Sequence, residues 1–203
     1  MTRRVALKRV GMLAVATTLA LYASPGDAAD PAPINVLVTY HSVTGNTEKM
    51  AQGVADGAKT VAGTTVVLKR VGEVAANDLI SSDALIVGSP VYFANMSGEV
   101  KTFFDNWSLK FDLFRDRKMR NKVGAAFATG LAVSAGKEFT ILGIFAAMLN
   151  NQMIIVSGGG GFGASATTGP ESPGIDEKEL AAARDLGKRV AEVAAVVKRG
   201  STK

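Results

Sequence analysis

Three hydroxyl side chains surround a glycine in His41-Ser42-Val43-Thr44-Gly45-Asn46-Thr47-Glu48, directly after a β-rich run and directly before helical periodicity. Backbone N–H groups at a helix start, together with the helix dipole, make an anion site, and hydroxyls add donors without adding charge. The turn holds neither a Lys nor a G-x-G-x-x-G, so it is not a Walker A loop or a dinucleotide fingerprint. A phosphate monoester held by neutral donors fits it, and an ordinary Ser/Thr/Asn-rich helix cap is the plain alternative. Two more loops follow apolar runs. In Gly88-Ser89-Pro90-Val91-Tyr92-Phe93-Ala94-Asn95-Met96-Ser97-Gly98, aromatic and apolar groups beside backbone amides can cover a flat conjugated ring and hydrogen-bond its edge. In Thr129-Gly130-Leu131-Ala132-Val133-Ser134-Ala135-Gly136, small residues let backbone approach a ligand closely.

The elements that must position these loops alternate along the chain. Apolar, β-rich runs stand at Ile34–Tyr40, Thr64–Leu68, Ala84–Gly88, Val123–Thr129 and Gln152–Ser157. Helical spacing connects them at Met50, Val54, Ala58 and Val61, at Val100, Phe103, Phe104 and Trp107, and across Phe139–Leu149. A last helix is marked by Leu180, Ala183, Gly187, Val190, Ala194 and Val197, and Asp176 with Glu179 forms a capping-box pattern before it. Five strands alternating with helices predict an α/β fold, a doubly wound three-layer sandwich around a five-stranded parallel sheet. Ligands of such sheets bind beyond the carboxyl ends of the strands, where all three loops fall.

Composition narrows the chemistry. The chain has 203 residues, no Cys and one His, so disulfides, thiolate zinc, thiol catalysis and His clusters are excluded, and redox chemistry needs a borrowed cofactor. Of the net charge of +5, Arg3, Arg4, Lys8 and Arg9 against Asp27 account for the larger part, and the remainder intersperses both signs. Nucleic acid is not the expected partner. Residues 1–28 read instead as an export signal: a basic start, an apolar stretch from Val10 to Ala23, and small residues suited to cleavage after Ala28. Thr2-Arg3-Arg4-Val5-Ala6-Leu7-Lys8 resembles the twin-arginine motif, with Ala6 where a Phe is usual, and a general secretory signal is the alternative. The apolar stretch of about 14 residues is shorter than the roughly 20 of a membrane span, so no stable insertion is expected once the signal is removed. The expected organisation is signal 1–28, linker 29–33, domain 34–198 and tail 199–203, exported to the periplasm, or cytoplasmic if the signal does not function.

At this point a resemblance becomes specific. The Ser42-x-Thr44-Gly45-Asn46-Thr47 turn is similar to the FMN-phosphate loop of the flavodoxin-like fold. Gly88 to Gly98, followed by Lys101, Phe103 and Asp105, resembles the second flavin loop of WrbA-type NAD(P)H:quinone oxidoreductases and related FMN reductases. Gly136-Lys137-Glu138 stands where that family has Gly-Gln-Glu, and Glu179-Leu180-x-x-Ala183-Arg184-x-x-Gly187 is similar to its final helix. The resemblance implies strand order 2-1-3-4-5, FMN as cofactor and NAD(P)H as co-substrate. It places Ser42, Val43, Thr44, Gly45, Asn46 and Thr47 on the phosphate, Pro90, Val91, Tyr92, Phe93 and Asn95 on the ring, and Thr129, Gly130, Leu131, Ser134 and Ala135 on its other side. It further implies two-electron transfer to a quinone, no metal and no catalytic side chain, and a homo-oligomer, dimer or tetramer.

Departures bear on the substrate. The family's active-site His falls at Asn150, Tyr92 replaces an Arg of the bacterial prototype, and a shortened segment leaves open whether Trp107 is the quinone-stacking Trp or a core residue. Tyr92, Trp107 and Asn150 are therefore the candidate substrate contacts. His41 reads as a loop or cap residue rather than an acid, and Arg115 to Lys122 as a solvated connection. Free NAD(P)H is cytoplasmic, which gives an exported enzyme no evident donor. The competing reading is a flavodoxin-like carrier passing single electrons between protein partners, which would ordinarily carry an acidic docking surface.

Overall fold

The computed structural model describes residues 33–169 and 174–201; the segment expected as an export signal and all but the last residue of the expected linker lie outside the described residues. β1 (Ile34–Tyr40) runs parallel to β2 (Thr64–Arg70) on one side and to β3 (Ala84–Tyr92) on the other. β3 pairs with β5 (Val123–Gly130), and the sheet order is β2-β1-β3-β5-β6, with β6 at Ile154–Ile155. The expected five-position order is present, with two differences. The fifth position is shared: β6 pairs with the start of β5 at Val123 and Gly124, whereas β7 (Ala164–Thr167) pairs with its end, Phe127 to Gly130. The strand expected over Gln152–Ser157 therefore shrinks to two residues, because the chain leaves the sheet through Gly158–Gly161 and returns as β7. β3 also runs four residues past Gly88 and folds back as β4 (Asn95–Met96), antiparallel to it.

Both faces of the sheet are covered, which explains near-continuous apolar strands such as the fully buried β5. On one face α1 (Asn46–Lys59) and α5 (Glu177–Ser201) enclose Val36, Val38, Ile86 and Phe127. On the other, α2 (Ala76–Ser81), α3 (Gly98–Leu109) and α4 (Lys137–Asn150) enclose Leu37, Leu85, Val87 and Ala126. α5 begins with the expected box, Asp176 and Glu179 each accepting the other's backbone N–H at 2.8 and 3.2 Å. It ends at Ser201, three residues into the segment expected as a tail. At the amino-terminal edge of the sheet, charge closes the structure. Asp83 accepts from Asn35 N–H and from Lys198, both at 2.8 Å, and Lys122 donates to the carbonyls of Ile80 and Ser82, where burial pushes its pKa down.

α1 and α5 touch backbone to backbone. A methyl at Gly187 would sit 1.9 Å from the Val54 carbonyl oxygen, and one at Gly57 would sit 1.9 Å from that of Arg184. Neither obstacle is a side chain that can rotate away, so the helices would have to separate. Gly187→Ala is expected to cost about 3 kcal/mol or more, read as a lowered urea midpoint with an unchanged denaturant slope.

Candidate functional site

The first loop is built around Gly45, whose φ of 86° lies in the left-handed region and which occupies the cap position of α1 without a side chain to cap it. The first-turn N–H groups thus lack the usual side-chain acceptor, as an anion site requires. Buried Ser42 accepts the Gly45 N–H at 3.1 Å, and Thr44 accepts from the Asn46 amide at 3.2 Å. Thr47, also buried, lies hydroxyl to hydroxyl with Thr129 at 2.8 Å, joining the first loop to the end of β5. From behind, Arg70 at the end of β2 donates to the Ser42 carbonyl at 2.7 Å and to Glu48 at 2.6 Å, and Tyr40 donates its phenol to Glu48 at 2.8 Å. Sequence spacing could not reveal this clamp, because Arg70 is distant in the chain.

In the second loop, Pro90, Val91 and Tyr92 are still strand. Phe93 and Ala94 turn the chain with φ of 49° and 61°, and Val91 pairs with Met96 and Tyr92 with Asn95. Two left-handed residues in a two-residue turn match the twist of a hairpin, at a cost of about 1–2 kcal/mol for each residue that is not glycine. The Phe93 side chain is fully exposed at the tip, and Tyr92 is partly exposed. Ser89 fixes the base, accepting Ser97 N–H at 2.9 Å and donating to the Pro90 carbonyl at 2.7 Å. His41 behaves as a loop residue. Its Nδ1 is 3.0 Å from the hydroxyl of Ser97, which caps α3, and its ring meets Tyr92 edge-on.

The third loop leaves β5 at Gly130, one residue later than the start read from sequence. Leu131 is exposed, as are Val133 and Ser134, and Gly136 ends the loop with φ of 91°. A Cβ at Gly136 would lie 2.7 Å from Ala94, so the second and third loops are in contact, and one at Gly130 would meet Ala135, Lys137 and Val91. The structure thus brings Ser42–Thr47, Pro90–Asn95 and Thr129–Ala135 together at the carboxyl edge of the sheet. Sequence reading named Lys137 only within a motif and gave it no role; its side chain is buried, where lysine is ordinarily exposed.

The substrate candidates fare differently. Trp107 is 1% exposed and packs its ring against Phe103 and Phe104, with centroids 5.7 and 5.0 Å away. Trp107 is thus a core residue that also borders the groove between α3 and α4. Asn150, exposed at the end of α4, gives its carbonyl to Arg117 at 3.2 Å and lines a groove of about 610 Å³ between α3 and α4, beginning at Met96. A separate recess of about 680 Å³ lies behind the first loop, between Arg70, Glu73, His41 and Glu99, and none of the expected FMN-contact residues lines it.

The residues present fit FMN: uncapped amides and hydroxyls for its phosphate, and glycine-spaced backbone beside exposed aromatics for a planar ring. A parallel sheet in this order, carrying these loops at its switch point, defines a flavodoxin-like fold. Residues 73–162 match the family described as NADPH-dependent FMN reductase. The NAD(P)H dehydrogenase (quinone) of Geotalea daltonii is 32% identical over 201 residues, with 79% of this chain and 97% of the relative covered. That of Archaeoglobus fulgidus is 34% identical over 193 residues, covering 78% and 96%. The crystal structure of the flavodoxin, WrbA-like protein from Agrobacterium tumefaciens superposes with a TM-score of 0.67 at 28% identity, covering 79% of this chain and 97% of its own. The chain belongs to the WrbA-like NAD(P)H dehydrogenase (quinone) family.

Burial and the neighbouring Glu48 push the Tyr40 phenol up from 10.0 to about 12. The folded state then keeps a proton that the unfolded chain releases, so this contribution to stability is whole below pH 10 and is lost as pH rises through about 12. Tyr40→Phe is expected to remove the most alkaline step from the phenolate absorbance titration of the folded protein.

Proposed function

We propose that this protein is an FMN-dependent NAD(P)H:quinone oxidoreductase. The observation that carries the reading is the meeting of three loops at the switch point, with the first turn of α1 left uncapped toward the crevice. FMN, when bound, accepts a hydride from the nicotinamide and passes both electrons to a quinone. The chain supplies position and electrostatics. Ser42, Val43, Thr44, Gly45, Asn46 and Thr47 hold the phosphate with N–H and hydroxyl donors. Pro90, Val91, Tyr92, Phe93 and Asn95 form one wall of the ring site, and Thr129, Gly130, Leu131, Ser134 and Ala135 form the other. Tyr92, half in the hairpin and partly exposed, is the side chain placed to meet an incoming quinone, and Asn150 stands farther along the groove.

The same reading includes assembly and address. α4 presents Phe139, Leu142 and Leu149 to solvent at helical spacing, an apolar stripe suited to a second copy of the chain, so the functional unit is a homo-oligomer, dimer or tetramer. The twin-arginine-like start directs the protein to the periplasm, where a quinone is at hand. Among the described residues no helix is long and apolar enough to cross a membrane.

Two measurements check these statements. Thr44→Ala with Thr47→Ala removes two donors to a charged ligand, worth about 1.5 kcal/mol each, and should weaken FMN about 100-fold; unchanged affinity would displace the phosphate from this loop. Fractionation of cells expressing the full chain should place the shortened protein in the periplasm, and recovery of full-length protein in the cytoplasm would overturn the export reading.

A further inference from the structure

Lys137 is a charged side chain in a place that penalises charge. It is 5% exposed, and it opens α4, where the positive end of the helix dipole disfavours a cation. Its Nζ donates to the Thr167 hydroxyl at the end of β7, 2.5 Å away, and among the described residues it takes part in no ion pair. Among the described residues no carboxylate pairs with it directly. Glu179 accepts the backbone N–H of Thr167 and Asp176, and Glu138 is exposed. A buried ammonium with no direct ion pair gains from any further negative charge brought beside it.

The side chain crosses the third loop's first residue to reach Thr167. Its Cγ would lie 3.1 Å from a Cβ on Gly130, and Gly130 pairs with Thr167 across β5 and β7. The buried side chain therefore runs against the backbone of the Thr129 to Ala135 loop, one wall of the proposed ring site. We infer that Lys137 is the counter-charge for two-electron-reduced, anionic FMN, and so sets the cofactor's potential in favour of the reduced form.

The charge arithmetic supports a role in one redox state. The ring of oxidised FMN is neutral. A hydride, two electrons and one proton, leaves the dihydronicotinamide as it becomes the oxidised, cationic nicotinamide, and gives the flavin ring one negative charge. Return of the hydride to a quinone, with one proton from solvent completing the quinol, removes that charge. A fixed cation in the wall stabilises the ring only between these two events, and low-dielectric surroundings strengthen the effect. Fixed charge near the ring is one of the ways a protein tunes a flavin.

The inference rests on the cofactor reading above, and the test separates the two. Oxidised and dithionite-reduced FMN are titrated into the full-length protein and into Lys137→Met, Lys137→Gln and Lys137→Arg, and the two-electron midpoint potential is measured against reference dyes. Met keeps the length of the side chain, Gln keeps a donor for Thr167 without the charge, and Arg keeps the charge. The expected result is oxidised FMN bound within about threefold of the unaltered protein by all three variants. Reduced FMN should be bound at least tenfold more weakly by the Met and Gln variants, equivalent to a potential lowered by about 30 mV for two electrons. The Arg variant should stay near the unaltered value. An unmoved potential in the Gln variant would overturn the inference and leave Lys137 as a clamp between α4 and β7. Failure of the unaltered protein to bind oxidised FMN would overturn the cofactor reading itself.

Discussion

At Gly45 the chain leaves β1 in a left-handed turn and enters α1 with no side chain to satisfy the amides of its first turn. Those unsatisfied donors stand at the one place in a doubly wound sheet where neighbouring connections diverge to opposite faces, and much of the surrounding structure serves to hold them there. Arg70 and Glu48 fasten the turn from behind, Tyr40 supports it from the strand, and Thr47 ties it to Thr129 on β5. The glycine contacts between α1 and α5 set the helix close against its neighbour and so fix the direction in which its amides point. Remove the close approach and the anion site shifts with the helix. Stability and ligand geometry are therefore one problem here.

The other two loops depend on a different device, backbone contact in place of side-chain contact. Gly136 leaves room for Ala94, and Gly130 leaves room for Ala135 and the Lys137 stem, so the hairpin and the third loop approach one another closely. Rigid placement of this kind is what a cofactor-dependent enzyme asks of its protein, since the reactive atoms belong to the cofactor. The absence of Cys and the engagement of the only His with Ser97 agree with that division of labour.

Much of this was legible in the residues. β1, β3 and β5 are apolar runs with few alternatives, α5 shows sustained helical spacing behind a capping box, and the Ser42–Thr47 turn carries its own chemistry. Other features were not. The fifth strand position is filled by two short pieces, because register with β5 is a property of the fold and leaves no periodicity in two or four residues. Tyr92 and Pro90 looked like loop because a proline ends most strands, yet here the strand runs on into an antiparallel hairpin at the sheet's edge. Trp107 sits on a helix with one buried face, and spacing alone cannot say whether an aromatic there faces core or pocket; in the fold it packs with two phenylalanines and also borders the groove between α3 and α4. The Arg70 clamp and the buried Lys137 are long-range arrangements that only folding creates.

The most direct test of the central claim is spectroscopic. Protein from Ala29 onward is reconstituted with FMN and titrated anaerobically with NADH or NADPH, then with benzoquinone, while the flavin absorbance is followed. The account predicts complete bleaching by one equivalent of nicotinamide, no long-wavelength band of a one-electron-reduced flavin, and full recovery on adding quinone. A flavin that binds but ignores nicotinamide, and that yields a stable one-electron-reduced form under dithionite, would contradict it and identify an electron carrier.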